Sequence, residues 1–207
     1  MTHSSNATHK GSVKSMIVDQ HRNRLYSTGK DTLILCQDLE TNKTHSAIKT
    51  NNCRPYGLEI DTDLERLYVS TREGLILIFD VKVSDNSDDN SDEKNKKKHM
   101  GPYMIHCIKP LKRTQNIDFV KQMDLDRNRN ALICRSKAGL IICIQIMNRA
   151  LIKSAVIETI NSYECDKTDS ISRFNWLSRM SCYCEGTTKG CLKIRTIEKA
   201  GETILML

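Results

Sequence analysis

Only three prolines, three phenylalanines and one tryptophan occur in these 207 residues, and no apolar run approaches a membrane span, which takes about 20 residues. The polar opening MTHSSNATHKGSVK has no apolar core of the signal-peptide kind, so the expected location is cytoplasmic. Few aromatics, none paired among the basic residues, leave little with which to build a base-stacking surface. Motifs that carry chemistry are missing too: there is no glycine-rich phosphate loop, H-E-x-x-H, kinase motif set or paired-carboxylate arrangement. The nine cysteines include no C-x-x-C pair and no partner H-x-x-x-H, so neither a metal site nor a cofactor is expected. Their odd number, without an export signal, argues for free thiols over a disulfide framework. Cys36, Cys107, Cys134, Cys143 and Cys191 lie in apolar runs, where cysteine acts as a small hydrophobe. Cys182 and Cys184, two apart, would share one face of a strand.

What the chain does contain is a recurring β-rich unit. RLYSTGKDTLILCQDLETNK (24–43) joins two alternating runs through a tight Gly-Lys-Asp turn, and RLYVSTREGLILIFDV (66–81) repeats that order. Weaker copies follow at 131–146 and 180–197. Aligned on the residue that opens the third strand, Thr32, Gly74, Gly139 and Gly190, the units are spaced by 42, 65 and 51 residues. A period of about 40 to 45 residues with four short strands per unit marks propeller blades. The longer spacings are accounted for by insertions, SDNSDDNSDEKNKKKHMG (84–101) and TINSYECDKTDS (159–170).

The expected fold is therefore all-β, with about four four-stranded blades at 13–50, 56–108, 119–157 and 171–207, a disordered tail over 1–12 and a charged disordered insertion over 84–101. Alternation places the strands at 13–18, 24–27, 32–38 and 45–50; 56–60, 66–70, 74–81 and 103–108; 119–125, 131–134, 139–146 and 151–157; 171–177, 181–184, 191–197 and 203–207. Packing between blades is assigned to Leu58, Ile60, Leu67, Val69, Leu75, Leu77, Leu132, Ile133, Ile141, Leu192 and Ile194.

The first unit resembles a WD repeat. His9 stands four residues before Val13, Ser27-Thr28-Gly29-Lys30-Asp31 occupies the hairpin, and Gln37-Asp38 falls where Trp-Asp would close the third strand. The resemblance implies a structural hydrogen-bond relay through His9, Ser27 and Asp31, with Gln37 in place of the tryptophan. Phe79-Asp80 holds the dipeptide position in the second unit, where Glu73 and Gly74 leave the turn without its aspartate. Residues 9–81 are also faintly similar to repeats of WD-repeat proteins that carry a FYVE zinc finger, through Ser27 to Asp31 and the spacing of Gly57 and Asp61. That likeness implies an endosomal adaptor, although the C-x-x-C pairs of the finger are missing.

His9, Ser27 and Asp31 are also the residue types of a hydrolase triad, but Ser27 is on no G-x-S-x-G elbow. The acidic alternation of Asp61, Asp63 and Glu65, and of Asp124 and Asp126, lacks a calcium loop and suits solvated turns. The insertion switches from acid to base at Lys94, Lys96, Lys97 and Lys98, which could contact an anionic partner or serve as a nuclear-localisation signal; Ser87 and Ser91 lie in acidic context suited to phosphorylation. The net charge of +7 favours acidic partners, nucleic acid and anionic lipid among them. The reading reached is a non-catalytic scaffold or adaptor that binds another protein. Its alternatives are an endosomal adaptor and a nucleic-acid-associated propeller subunit. Four WD-type blades make an uncomfortable closed ring, so self-association, completion by another chain's blades, or a place in a longer protein is expected.

Overall fold

A computed structural model describes residues 7–50, 52–82, 102–108, 119–137, 141–146, 157–161, 171–180, 182–196 and 203–206. The short alternating runs form four antiparallel four-stranded sheets, each in simple chain order. The first holds β1 (Val13–Asp19), β2 (Arg24–Gly29), β3 (Leu33–Asp38) and β4 (Thr44–Lys49); the second β5 (Pro55–Asp61), β6 (Arg66–Thr71), β7 (Ile76–Asp80) and β8 (Tyr103–Ile108). The third holds β9 (Val120–Asp126), β10 (Ala131–Ser136), β11 (Ile141–Gln145) and β12 (Ile157–Asn161); the fourth β13 (Ile171–Leu177), β14 (Cys182–Thr187), β15 (Leu192–Thr196) and β16 (Thr203–Met206).

Two hairpin chemistries recur. Between the first and second strands, Asp61 Oδ1 accepts the N–H groups of Asp63 and Leu64, and Asp126 Oδ1 those of Asn128 and Arg129. Asp19 accepts the N–H of Arg22 in the same way. Asp61 and Asp126 are buried, not solvated as expected, and Asp19 is buried likewise, because each replaces water with turn amides. Asp124 departs further from the expectation, since it lies within β9. Between the second and third strands, Gly74 and Gly190 take φ of 81° and 85°, and each donates its N–H to the carbonyl of a threonine three residues earlier, Thr71 or Thr187. Thr32, aligned with them, is held at φ 61°, where a β-branched residue is strained. Thr32→Gly is expected to stabilise the chain by about 0.5–1 kcal/mol, after allowance for glycine's extra unfolded-state entropy. A melting temperature unchanged or lowered by that substitution would contradict this account of the turn.

The core lies between sheets. Tyr26, Ile34 and Cys36 of the first sheet meet Leu58, Ile60, Leu67, Val69, Leu77 and Phe79 of the second. Tyr68, Ile76 and Ile78, on the second sheet's other face, meet Val120, Met123, Leu132, Cys134, Ile142 and Ile144. Ala131, Ile133, Ile141 and Cys143 then meet Phe174, Trp176 and Tyr183 of the fourth sheet. Each middle sheet is thus apolar on both faces, which explains why β6 and β10 are buried along their whole length.

Four expectations need correction. The outer strand of the third sheet, expected at 151–157, is described at Ile157–Asn161, where it pairs with β11 and runs into the stretch expected to be an insertion, 159–170; residues 151–156 lie outside the described residues. An outer strand gains little from its side chains, so apolar pattern specifies its position weakly. The stretch expected to be a tail is placed from Ala7 onward, crossing the first sheet, where Thr44 Oγ1 donates to the carbonyl of Ala7. Leu192 is 41% exposed and Ile194 half-buried, because no further sheet covers that face among the described residues. Cys107 is exposed and Cys191 half-buried, whereas Cys36, Cys134 and Cys143 are buried hydrophobes.

Candidate functional site: a charged cavity among the inner strands

Strands β1, β5 and β9 pack side by side, and β13 joins them through side chains. Phe174 N–H donates to Gln122 Oε1 at 3.2 Å, and Gln122 Nε2 donates in return to the carbonyl of Phe174. Trp176 N–H donates to Asp124 Oδ2 at 3.1 Å. These four strands surround a cavity of about 320 Å³ whose lining includes Lys14, Glu59, Lys121, Asp124, Arg135 and Arg173.

Backbone irregularity shapes this lining. The pairing of every inner strand slips near its start, and the ladder skips Lys14 in β1 and Lys121 in β9. Such bulges re-aim a side chain that regular alternation would send elsewhere. In β5 the slip brings Gly57 N–H to Ser70 Oγ at 2.9 Å, so close that a Cβ at Gly57 would collide with that oxygen.

The cavity has two poles. At one, burial and the neighbouring charges of Arg135, Arg173 and Lys137 hold the Lys121 ammonium below its ordinary pKa. Arg135 is only 2% exposed, and burial lowers its pKa against the opposing pull of Glu185. At the other pole, burial followed by the negative charge of Asp124 pushes Glu59 up to about 8. Burial likewise pushes Asp124 up to about 6, although the Trp176 N–H works against it. Asp124 stands three positions after Lys121 along β9, about 10 Å at the rise of a strand.

The residues singled out from the sequence occupy another place. His9 Nδ1 lies 3.0 Å from Asp31 Oδ1, and its Nε2 lies 2.9 Å from Ser27 Oγ. Lys10 N–H donates to Asp31 Oδ2 at 2.7 Å and Leu33 N–H to Oδ1 at 3.3 Å. Burial alone would raise the Asp31 pKa, but the bonds from His9, Lys10 and Leu33 outweigh it and hold the carboxyl below its ordinary range. Ser27 is 4% exposed within β2, sealed from any substrate. Removing the imidazole with His9→Ala leaves a buried carboxylate short of a donor and is expected to cost about 1–3 kcal/mol. Loss of less than about 0.5 kcal/mol on chemical denaturation would contradict that.

Glu73 is a residue that sequence reasoning missed. Its carboxylate accepts the Arg54 N–H at 2.8 Å and the Arg54 Nε at 3.0 Å, as Asp31 accepts the Lys10 N–H. One extra methylene lets glutamate serve a turn that lacks aspartate. The lysines Lys94, Lys96, Lys97 and Lys98 lie outside the described residues. Among the described residues no group of three or more His, Cys, Asp or Glu is placed to hold a metal ion, and no helix is long and apolar enough to cross a membrane.

No family model matches the chain, and no curated protein does. Solved structures do. The β-propeller domain of Cps50 (Swd1) from Myceliophteria thermophila superposes with a TM-score of 0.64 at 14% identity, covering 98% of this chain and 57% of that one. Raptor from Chaetomium thermophilum superposes with a TM-score of 0.63 at 14% identity, covering 93% of this chain and 15% of that one. The chain therefore spans little more than half the length of the first and a small part of the second. Four sheets in sequence, each packed face to face on the next, are the β-propeller fold, here an arc of four blades that does not close among the described residues.

Proposed function

We propose that the chain is a non-catalytic scaffold that binds a protein partner at the cavity between its inner strands. The observation that carries this is the convergence of Lys14, Lys121, Arg135 and Arg173, from three sheets, on one cavity. Arg135 is buried, Lys14 and Lys121 are half-buried and Arg173 is exposed, so an acidic partner group can reach these like charges and relieve their mutual repulsion. The sealed position of Ser27 supports a structural role for the His9 relay over a hydrolytic one. The faces of the first and fourth sheets that no described sheet covers support self-association or completion of the ring by other blades, and the same reading keeps the cytoplasm as the location.

Affinity purification at low salt and near-native abundance tests the proposal, comparing the unaltered chain with Lys121→Glu. A protein retained by the first and lost by the second is expected. Retention of nucleic acid with steep salt dependence would favour the nucleic-acid reading. Liposome binding that requires a phosphoinositide would favour the endosomal one.

A further inference from the structure

Resting on the scaffold reading, we infer that the cavity selects a polypeptide segment bearing one acidic and one basic side chain about 10 Å apart. The acid sits among Lys14, Lys121 and Arg173, and the base sits on Glu59 and Asp124. Each pole gathers side chains of one sign on the cavity wall, Lys14, Lys121 and Arg173 at one end and Glu59 and Asp124 at the other. Burial first, then Arg135, Arg173 and Lys137, disfavours the charged form of Lys121, and burial first, then Asp124 and Asp61, disfavours that of Glu59, against Arg127. Asp124 Oδ2 already accepts the Trp176 N–H, which orients its carboxylate without supplying a countercharge. A singly charged ligand would relieve one pole and leave the other as it was. Inorganic phosphate is too small to span both, and a nucleic-acid backbone would bring its phosphates toward the two carboxylates. A peptide with both charges matches both poles within the roughly 320 Å³ available. Electrostatic match of this kind sets specificity and orientation of the bound segment.

Fluorescence anisotropy with the full chain provides the test. The probes are labelled peptides with one Glu and one Arg separated by one to four serines, with Glu-only and Arg-only peptides and an oligouridine as controls. One dipolar peptide is expected to bind at least tenfold more tightly than either single-charge peptide. At pH 9, where both carboxyls are ionised, Asp124→Asn and Glu59→Gln, both near-isosteric, should each weaken the dipolar peptide about tenfold and leave the Glu-only peptide unchanged, while Lys121→Gln should weaken both. Thermal melts of the variants confirm that they fold. The inference is overturned if no peptide binds, if the Glu-only peptide matches the dipolar one, or if oligouridine binds more tightly. Should a protein partner still be retained equally by the chain and by Asp124→Asn, the inference fails while the scaffold reading stands; loss of every protein partner removes both.

Discussion

Leu58→Ala is expected to lower stability by about 3 kcal/mol, whereas Met16→Ala should change it by less than about 0.5 kcal/mol. The two positions are equivalent in register: Leu58 pairs with Val69, and Met16 with Ser27, each three residues before the aspartate that ends the inner strand. Leu58 packs on the first sheet and is 6% exposed. Met16 faces the side of the first sheet that no other described sheet covers, and it is 65% exposed. Truncating a buried leucine removes transfer free energy and leaves a cavity; truncating an exposed methionine does neither. Urea midpoints at constant slope read the difference. Equal losses at both positions would mean that something covers the first sheet, and the open arc would be wrong.

Stability is also expected to fall as pH rises from about 4.5 to 8. Glu59 titrates near 8 in the folded chain, against an ordinary 4.5, and Asp124 near 6 against 3.8. Between those values the folded state retains protons that the unfolded chain has lost. Both contributions are therefore complete below the unfolded pKa values, decline as pH passes through the folded ones, and level off above about 8. Full conversion of the Glu59 displacement would overstate the effect, because the side chain is half-buried and water screens it. A loss of about 2 kcal/mol is a reasonable magnitude. Glu59→Gln, which carries no charge at any pH, should flatten most of the decline. A profile that rises between pH 5 and 8 in the unaltered chain, or an identical decline in Glu59→Gln, would refute the assignment.

The sheets were legible because their signal is local. The paired runs at 24–43 and 66–81 carry alternation and turn in one stretch, and the alignment of Thr32 with Gly74 and Gly190 reappears as a shared left-handed backbone. The outer strand at Ile157–Asn161, paired with β11, was not legible, since apolar pattern specifies an outer strand only weakly. The His9, Ser27 and Asp31 trio could be read from a motif, and the structure brings those side chains together. The cavity could not be read from a motif. Lys14, Glu59, Lys121 and Arg173 are far apart in sequence and meet only when the inner strands line up, and bulges at Lys14 and Lys121 break the alternation that would have assigned their direction. A signal was available in the repeats themselves: Glu59 and Asp124 both stand two residues before the aspartate that ends their strand, and comparing charges at equal offsets would have paired them.

Light scattering across a concentration series, with a hydrophobic dye present, bears most directly on the open arc and its free faces. Met16 and Val18 at one end are 65% and 45% exposed, and Leu192 at the other is 41% exposed; the middle sheets bury the positions equivalent to Met16, at Leu58 and Met123, and to Leu192, at Ile76 and Ile141. Contiguous apolar surface of this kind is rare on soluble monomers. The expected result is a mass that rises above 23.7 kDa with concentration, accompanied by dye binding that Met16→Glu reduces. A 23.7 kDa monomer at every concentration, with no dye bound, would contradict the account.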